Sequence, residues 1–300
     1  DRSFKKTFSE SDYKELSNNV WSASSDCVLP YTDADLNRFG LERDVELFGQ
    51  RDIAWTHRAG DGVDIYFVSN QIEEQVKFDV SFRVSGMQPE LWNPVTGEII
   101  NLSEFEMSDT RTKMSLDMYP NQSLFVVFRN KVSDSISTSV LEEQIPVNVK
   151  EWNVEFEKDR SLKLTVDNLF DWSESDDKRI KYYSGTASYK TSFDFEQKGN
   201  FSKVSLDLGD VKDIAEVIVN GVNCGTIWTF PNRIDISKSV KDGLNQLEVR
   251  VVNGWTNRIK GVNEEEIVDS SIWTNTPYWA KDIPLQKSGL KGPLSIILSN

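Results

Sequence analysis

The chain has 300 residues, with 48 Asp and Glu against 34 Lys and Arg, and a formal net charge of −14. That acidity argues against a nucleic-acid binder, which needs a basic face, and no apolar run approaches the ~18 residues of a membrane span. Two Cys and one His supply neither a disulfide framework nor a thiolate or imidazole zinc cage.

Residues 1–50 differ in texture from the rest. Asp1-Arg2-Ser3-Phe4-Lys5-Lys6 has no apolar signal core and no initiator Met, so a processed or cut segment is expected. Ser9–Leu16 starts like a capped helix, Cys27–Tyr31 like a short strand, and Thr32–Gly40 like a second helix closed by glycine. A lone β–α piece cannot bury its own faces. Residues 1–50 therefore read as an α/β remnant of a neighbouring domain, or a connector packed on the β region C-terminal to it.

From Asp52 the chain turns to β. Asp64–Asn70 is a strongly apolar strand after an Asp61-Gly62 turn. Val76, Phe78, Val80, Phe82 and Val84 alternate with polar residues, which puts all five on one face. Leu91–Glu98 reads as a strand and tight turn, and Gln122–Phe128 as another apolar strand. Short strands at this spacing predict a compact antiparallel sandwich over residues 51–130. The Ser-rich stretch 131–148 reads as a linker.

Residues 149–300 predict a second sandwich. Its strands are Trp152–Glu157, Leu162–Val166, Thr186–Phe195, Lys203–Leu208, Arg233–Ile236, Gln246–Val252 and Leu294–Leu298, plus a hairpin. About nine strands in ~150 residues fit a jelly roll. The hairpin is the clearest local signal. Glu216–Val219 and Val222–Trp228 flank Asn220-Gly221, and a type I′ turn needs positive φ at both central positions. The left run, Glu216–Val219, read as apolar without a break, predicts a strand covered on both faces. In Leu244–Asn253, apolar Leu247, Val249 and Val251 alternate with polar Gln246, Glu248 and Arg250, which predicts one wet face. The fold class is therefore mainly β: two antiparallel β-sandwiches, the second a jelly roll, behind a short α/β remnant.

Several groups invite a chemical reading. Glycoside hydrolysis needs only a pair of carboxyls, and Glu264-Glu265-Glu266, Asp269, Asp171 and Glu174 fall in loops. In an acidic chain such clusters are ordinarily a solvated face. His57 lies in a strand-like stretch with no nucleophile motif beside it and reads as structural, and Cys224 as a small core residue. Asp207, Asp210 and Asp213 could offer oxygens to calcium, but without the spacing of a helix–loop–helix calcium site. The aromatics are more informative. Trp172, Trp228, Trp255, Trp273 and Trp279 sit at loops or strand ends, with Tyr182-Tyr183 and Tyr278 nearby. Exposed rings stack on sugar faces, while planar amides and guanidinium bind hydroxyls. A Trp is nevertheless largely buried on average. Asn253-Gly254-Trp255-Thr256-Asn257-Arg258 combines a ring with planar hydrogen bonders directly after a strand. The candidate carbohydrate-binding residues are thus Trp228, Asn253, Trp255, Asn257 and Arg258.

The order of Tyr182–Tyr189, Leu206–Gly209, Val217–Gly221, Gly225–Trp228, Gly243–Asn245 and Val251–Trp255 resembles the galactose-binding-like jelly roll of large glycoside hydrolases. With Trp55–Arg58, Asp64–Gln71, Glu90–Gly97 and Asn253–Arg258, residues 40–300 look like the C-terminal third of bacterial α-L-rhamnosidases of glycoside hydrolase family 106. That resemblance implies an N-terminal (β/α)-barrel elsewhere in the polypeptide, bearing the catalytic carboxylates and a calcium-assisted sugar site. Residues 51–300 are β throughout, so no catalytic or metal residue carries over to this chain. The expectation is an accessory segment with no cofactor of its own, calcium at the aspartates being the alternative. Its partners would be the missing barrel and a plant or other complex glycan, in the periplasm or outside the cell.

Overall fold

The computed structural model describes residues 11, 14, 15, 42–49, 52–132, 142–159, 161–197, 201–273 and 283–299. Among these the protein is mainly β, as the apolar alternation predicts. Most of the 1–50 remnant, including the strand and helix expected at 27–40, lies outside the described residues, as do Tyr278 and Trp279.

In chain order the strands begin with β1 (Val45–Phe48), β2 (Ile53–Gly60), β3 (Val63–Asn70), β4 (Val76–Phe82) and β5 (Met87–Trp92). Next come β6 (Ile99–Asn101), β7 (Glu106–Met107), β8 (Thr112–Met118), β9 (Ser123–Lys131) and β10 (Glu142–Pro146). Then come β11 (Trp152–Phe156), β12 (Lys163–Val166), β13 (Thr186–Phe195), β14 (Lys203–Asp207) and β15 (Asp210–Lys212). The series closes with β16 (Ile214–Val219), β17 (Val222–Ile227), β18 (Arg233–Asp235), β19 (Gly243–Val252), β20 (Gly289–Gly292) and β21 (Ser295–Ser299). The helices include α1 (Lys178–Lys181) and α2 (Thr256–Asn263), and Ser11, Lys14 and Glu15, within the helix expected at Ser9–Leu16, are helical too.

The chain divides into two compact units. The first comprises residues 1–50, Phe78–Met87 and Glu104–Leu116 and carries most of the sheet β1-β4-β8-β7. The period-two reading of β4 holds, since Val76, Phe78, Val80, Phe82 and Val84 are all buried. Arg111 ties this sheet together from within: Nε donates to Ser81 Oγ at 2.8 Å, Nη2 to Ser81 O at 2.9 Å and Nη1 to Arg43 O at 2.8 Å.

The second unit comprises Arg51–Lys77, Gln88–Ser103 and Asp117–Asn300. It contains the sheet β2-β3-β9-β5-β6, with Tyr66, Val68, Val126 and Phe128 fully buried. Here His57 is indeed embedded in packing: its ring stacks on Tyr66 at 4.0 Å and its Nε2 lies 2.9 Å from Asp64 Oδ1.

The same unit contains the sandwich read from residues 149–300. One sheet runs β12-β11-β13-β19-β16-β17 and the other β10-β21-β14-β18, with β15 and β20 paired apart. Between the two large sheets lies a continuous core that includes Trp152, Phe156, Trp172, Phe193, Leu206, Val249 and Ile296. Glu142–Pro146, inside the stretch read as a linker, is a strand that pairs with β21.

The Asn220-Gly221 turn forms as read, with φ of 52° and 82° at its two central residues and Val219 facing Val222. Asn220 anchors it by donating from Nδ2 to Ser239 O at 2.8 Å and to Asn245 Oδ1 at 2.7 Å. The neighbouring strand departs from expectation. β16 is covered on one face only, with Ala215, Val217 and Val219 buried and Ile214 44% exposed. The reason is that its other face belongs to a solvated charge ladder: Glu216 takes Arg250 at 3.2 Å and Asn223 at 2.6 Å, and Arg250 also holds Glu248 at 2.8 Å. The one-wet-face reading of β19 holds, with Leu247, Val249 and Val251 inside.

Candidate functional site

Strand register brings the candidate residues to one end of the six-stranded sheet. Phe156, Ala187, Val251, Ala215 and Ile227 form a continuous row of paired residues across β11, β13, β19, β16 and β17. Just beyond that row the chain leaves β11, β19 and β17 and enters β13 and β16. Lys158, Gly185, Asp213, Trp228, Phe230 and Trp255 therefore lie in the connections at this end, with Lys212 closing β15 just before β16. β19 and β17 flank β16, so the last rows before Trp255 and Trp228 are about 10 Å apart.

Apolar surface is exposed here. Trp228 is 62% exposed and Trp255 54%. Ile214 and Val252 face each other across β16 and β19 and are also exposed. Lys158 Nζ stands 5.2 Å from the Trp255 ring centroid, and Lys212 Nζ 5.4 Å from that of Phe230. Such ammonium–ring contacts at exposed positions are each worth about 0.5–1 kcal/mol. Asp213 Oδ2 accepts from Gly254 N at 2.9 Å, which fixes the connection leading into Trp255.

The polar members of the candidate set are turned inward. Asn253 is 8% exposed; its Nδ2 donates to Tyr183 O at 2.9 Å, and its Oδ1 accepts from Gly185 N at 3.0 Å. Asn257 is 2% exposed and makes a two-way amide bond with Gln286, donating to its O at 2.6 Å and accepting from its N at 2.8 Å. Arg258 donates from Nε and Nη2 to Asp269 Oδ2 at 3.1 and 2.8 Å. Asp269 is held down to about 2, first by the Ser271 hydroxyl and then by Arg258 and the Ser271 N–H. The composition of this stretch suggests an open loop. It is instead the start of α2, with Trp255 at the N-cap position, and the helix aims Asn257 inward.

The remaining aromatics and acids have their own places. Trp172, Tyr182 and Tyr183 are buried, while Trp273 is 83% exposed. Trp172 donates to Tyr189 Oη at 2.6 Å, and burial pushes the Tyr189 phenol far up. Asp171 caps the turn Trp172–Glu174 and accepts from Ser173 N and Ser288 N, each at 3.0 Å. Glu264 pairs with Lys260 at 2.8 Å and Glu266 with Lys178 at 2.6 Å. Asp207 receives Arg233 at 2.8 Å, and Asp210 lies 3.9 Å from Lys291. Among the described residues no three His, Cys, Asp or Glu side chains gather as a metal site. Lys158, Lys212 and Phe230 are not flagged by the sequence, and Asp213 only as a possible calcium ligand. No local pattern marks them, since only the register of strands far apart in the chain brings them to the rim.

Comparison with known proteins supports the motif reading. Residues 3–106 match the α-L-rhamnosidase family model, so the likeness reaches further toward residue 1 than the motifs suggested. Residues 153–281 match the glycosyl hydrolase 2 galactose-binding domain-like model. A curated relative from Formosa agariphila, named a putative β-glucuronidase, is 34% identical over an alignment of 251 residues that covers 72% of this chain and 21% of that protein. The rhamnosidase from Novosphingobium sp. PP1Y is similar in structure over 96% of this chain and 29% of its own, with 32% identity and a TM-score of 0.74. The chain thus spans less than a third of each of these relatives.

Proposed function

We propose that this chain is a non-catalytic accessory segment, C-terminal in a longer polypeptide, of a carbohydrate-degrading glycoside hydrolase of the α-L-rhamnosidase type. The observation that carries this reading is the likeness of nearly the whole chain to under a third of a rhamnosidase. In this reading most of residues 1–50 are a remnant of an adjoining α/β domain, with β1 belonging to the β region that follows, and the galactose-binding-like jelly roll of 149–300 also takes in β10 from the stretch read as a linker. Together they brace a catalytic barrel supplied by the rest of the polypeptide and shape the approach of a plant or other complex glycan, in the periplasm or outside the cell. The parent reaction is cleavage of a terminal α-L-rhamnosyl bond: one protonated carboxyl donates to the leaving oxygen while a carboxylate handles water or the sugar. No acid of this chain is assigned either role. Asp171, Glu264, Glu266 and Asp269 are each engaged by a nearby donor or cation.

A second reading, an autonomous carbohydrate-binding module, is favoured by the exposure of Trp228 and Trp255. Asn253, Asn257 and Arg258 would then position the rim and leave contact with sugar to the rings. Calorimetric titration with rhamnose-containing oligosaccharides, beside an aryl α-L-rhamnoside assay, tests both readings. The accessory reading expects turnover by the full-length polypeptide and none by these 300 residues. Turnover by the segment alone would overturn it. Saturable binding that Trp255→Ala abolishes in a folded sample would instead establish the module.

A further inference from the structure

We infer that Arg129 is a preorganised receptor for a carboxylate, held in place by the buried Glu90 and the ring of Trp92. The site lies in the sheet β2-β3-β9-β5-β6, where β5 and β9 are neighbours, and it stands apart from the glycoside hydrolase reading. The Glu90 side chain is 2% exposed, and a carboxylate is rarely buried without full pairing. Its Oε1 accepts from Arg129 Nε at 3.1 Å and Asn130 Nδ2 at 2.8 Å. Its Oε2 accepts from Arg129 Nε at 3.0 Å and Trp92 Nε1 at 2.8 Å. Burial alone would raise the Glu90 pKa, but the bonds from Arg129, Trp92 and Asn130 outweigh it and hold the group below its usual value.

The guanidinium is engaged along one side only. Nε reaches Glu90, and Cζ lies 4.9 Å from the Trp92 ring centroid, so the plane is fixed by a hydrogen bond and by stacking. Nη1 and Nη2 have no hydrogen-bond partner among the described residues, and the side chain is 42% exposed. The free edge of a guanidinium offers two parallel N–H donors that match the two oxygens of a carboxylate. An ordinary surface arginine loses rotamer freedom when it binds such a group, whereas here Glu90 and Trp92 have already removed it.

The surroundings favour an occupant with an apolar body. Ile99 is the cross-strand partner of Trp92 and is 48% exposed, and Val95 in the same turn is 46% exposed. This gives Glu90-Leu91-Trp92-Asn93-Pro94-Val95-Thr96-Gly97 a physical purpose. Glu90 and Trp92 are two apart on a strand and share a face. The turn, closed by Asn93 Oδ1 on Val95 N at 2.9 Å and Asn93 O on Gly97 N at 2.9 Å, then returns Ile99 beside the ring. The ligand class is a carboxylate, presented by a uronic acid or by an acidic side chain.

The Trp92 indole N–H shares Glu90 Oε2 with Arg129 and so reports on the site. In ¹⁵N-labelled protein its resonance is identified by its loss in Trp92→Phe. Titrations use D-glucuronate, N-acetylaspartate, glucose, and sodium chloride at matched ionic strength. The expected result is a saturable shift with a carboxylate and none with glucose or chloride. A shift with glucuronate alone identifies a uronate site, with N-acetylaspartate alone an acidic side chain, and with both a general carboxylate receptor. Arg129→Lys keeps a cation beside Glu90 but loses the fork, and is expected to weaken binding by about tenfold or more. No saturable shift with either carboxylate, an equal shift with chloride, or unchanged affinity in a folded Arg129→Lys protein would overturn the inference. Should that variant misfold, the titration of the unaltered protein decides alone.

Discussion

Two regions of the larger unit divide aromatic and polar work in opposite ways. At the loop end of the jelly roll the amides of Asn253 and Asn257 and the guanidinium of Arg258 are engaged inside the protein, and the rings of Trp228 and Trp255 face outward. At Glu90 the ring of Trp92 is engaged as a support, and the guanidinium edge of Arg129 faces outward. The residue types are nearly the same, Trp with Asn and Arg, yet one region presents a face for stacking and the other a charged fork. Residue identity therefore does not say which partner a cluster offers. What decides it is which groups the backbone and a buried acid have already taken.

The contrast can be broken at several points. Arg129→Ala leaves Glu90 buried without its cation, and about 3 kcal/mol of stability should be lost, read as a lower denaturant midpoint. Asn253→Ala removes a buried amide that holds Gly185 and Tyr183, and about 2 kcal/mol should go. Trp228→Ala removes an exposed ring, so the midpoint should move by no more than about 0.5 kcal/mol. A large loss there would mean that the ring is a structural plug, and the contrast would fail.

The last prediction sharpens the comparison by pH. The Asp269 carboxylate sits at about 2 because of Ser271 and Arg258, below the ~3.9 of an unfolded aspartate. Its folded-state pKa is depressed, so its contribution is fully present above about 4 and is lost as pH falls from there through about 2. An NMR titration of this carboxylate should give a midpoint near 2. Arg258→Gln should raise that midpoint modestly, since Ser271 remains, and stability at neutral pH should fall in step, by some tenths of a kcal/mol.

Much of the fold was legible because its signals are local. Asn220-Gly221 and the alternation along β19 need nothing but their own residues, and both form as read. The apolar run of β16 misled because period-two burial is set by what covers each face, and Arg250, which keeps one face wet, lies on another strand. The site was legible only in its rings. Asn253, Asn257 and Arg258 have the composition of a sugar contact, but their partners Gly185, Gln286 and Asp269 sit in other segments, and only the entry into α2 turns the amides toward them. Lys158 and Lys212 carried no local signal, since their position follows from five strands held in one register.

The order of strands also governs when this protein can fold. β21 lies between β10 and β14, although it is the latest of the three in the chain, and β19 likewise joins β13 to β16. Until residues 243–252 have been synthesised the larger sheet exists only as two unconnected pieces. Until residues 295–299 emerge, the smaller sheet lacks an interior strand. Contacts so distant along the chain form slowly. A ribosome must therefore release almost the whole jelly roll before its core can close, and a nascent chain stalled before Ser295 would hold two unpaired edges open to chaperones or to aggregation.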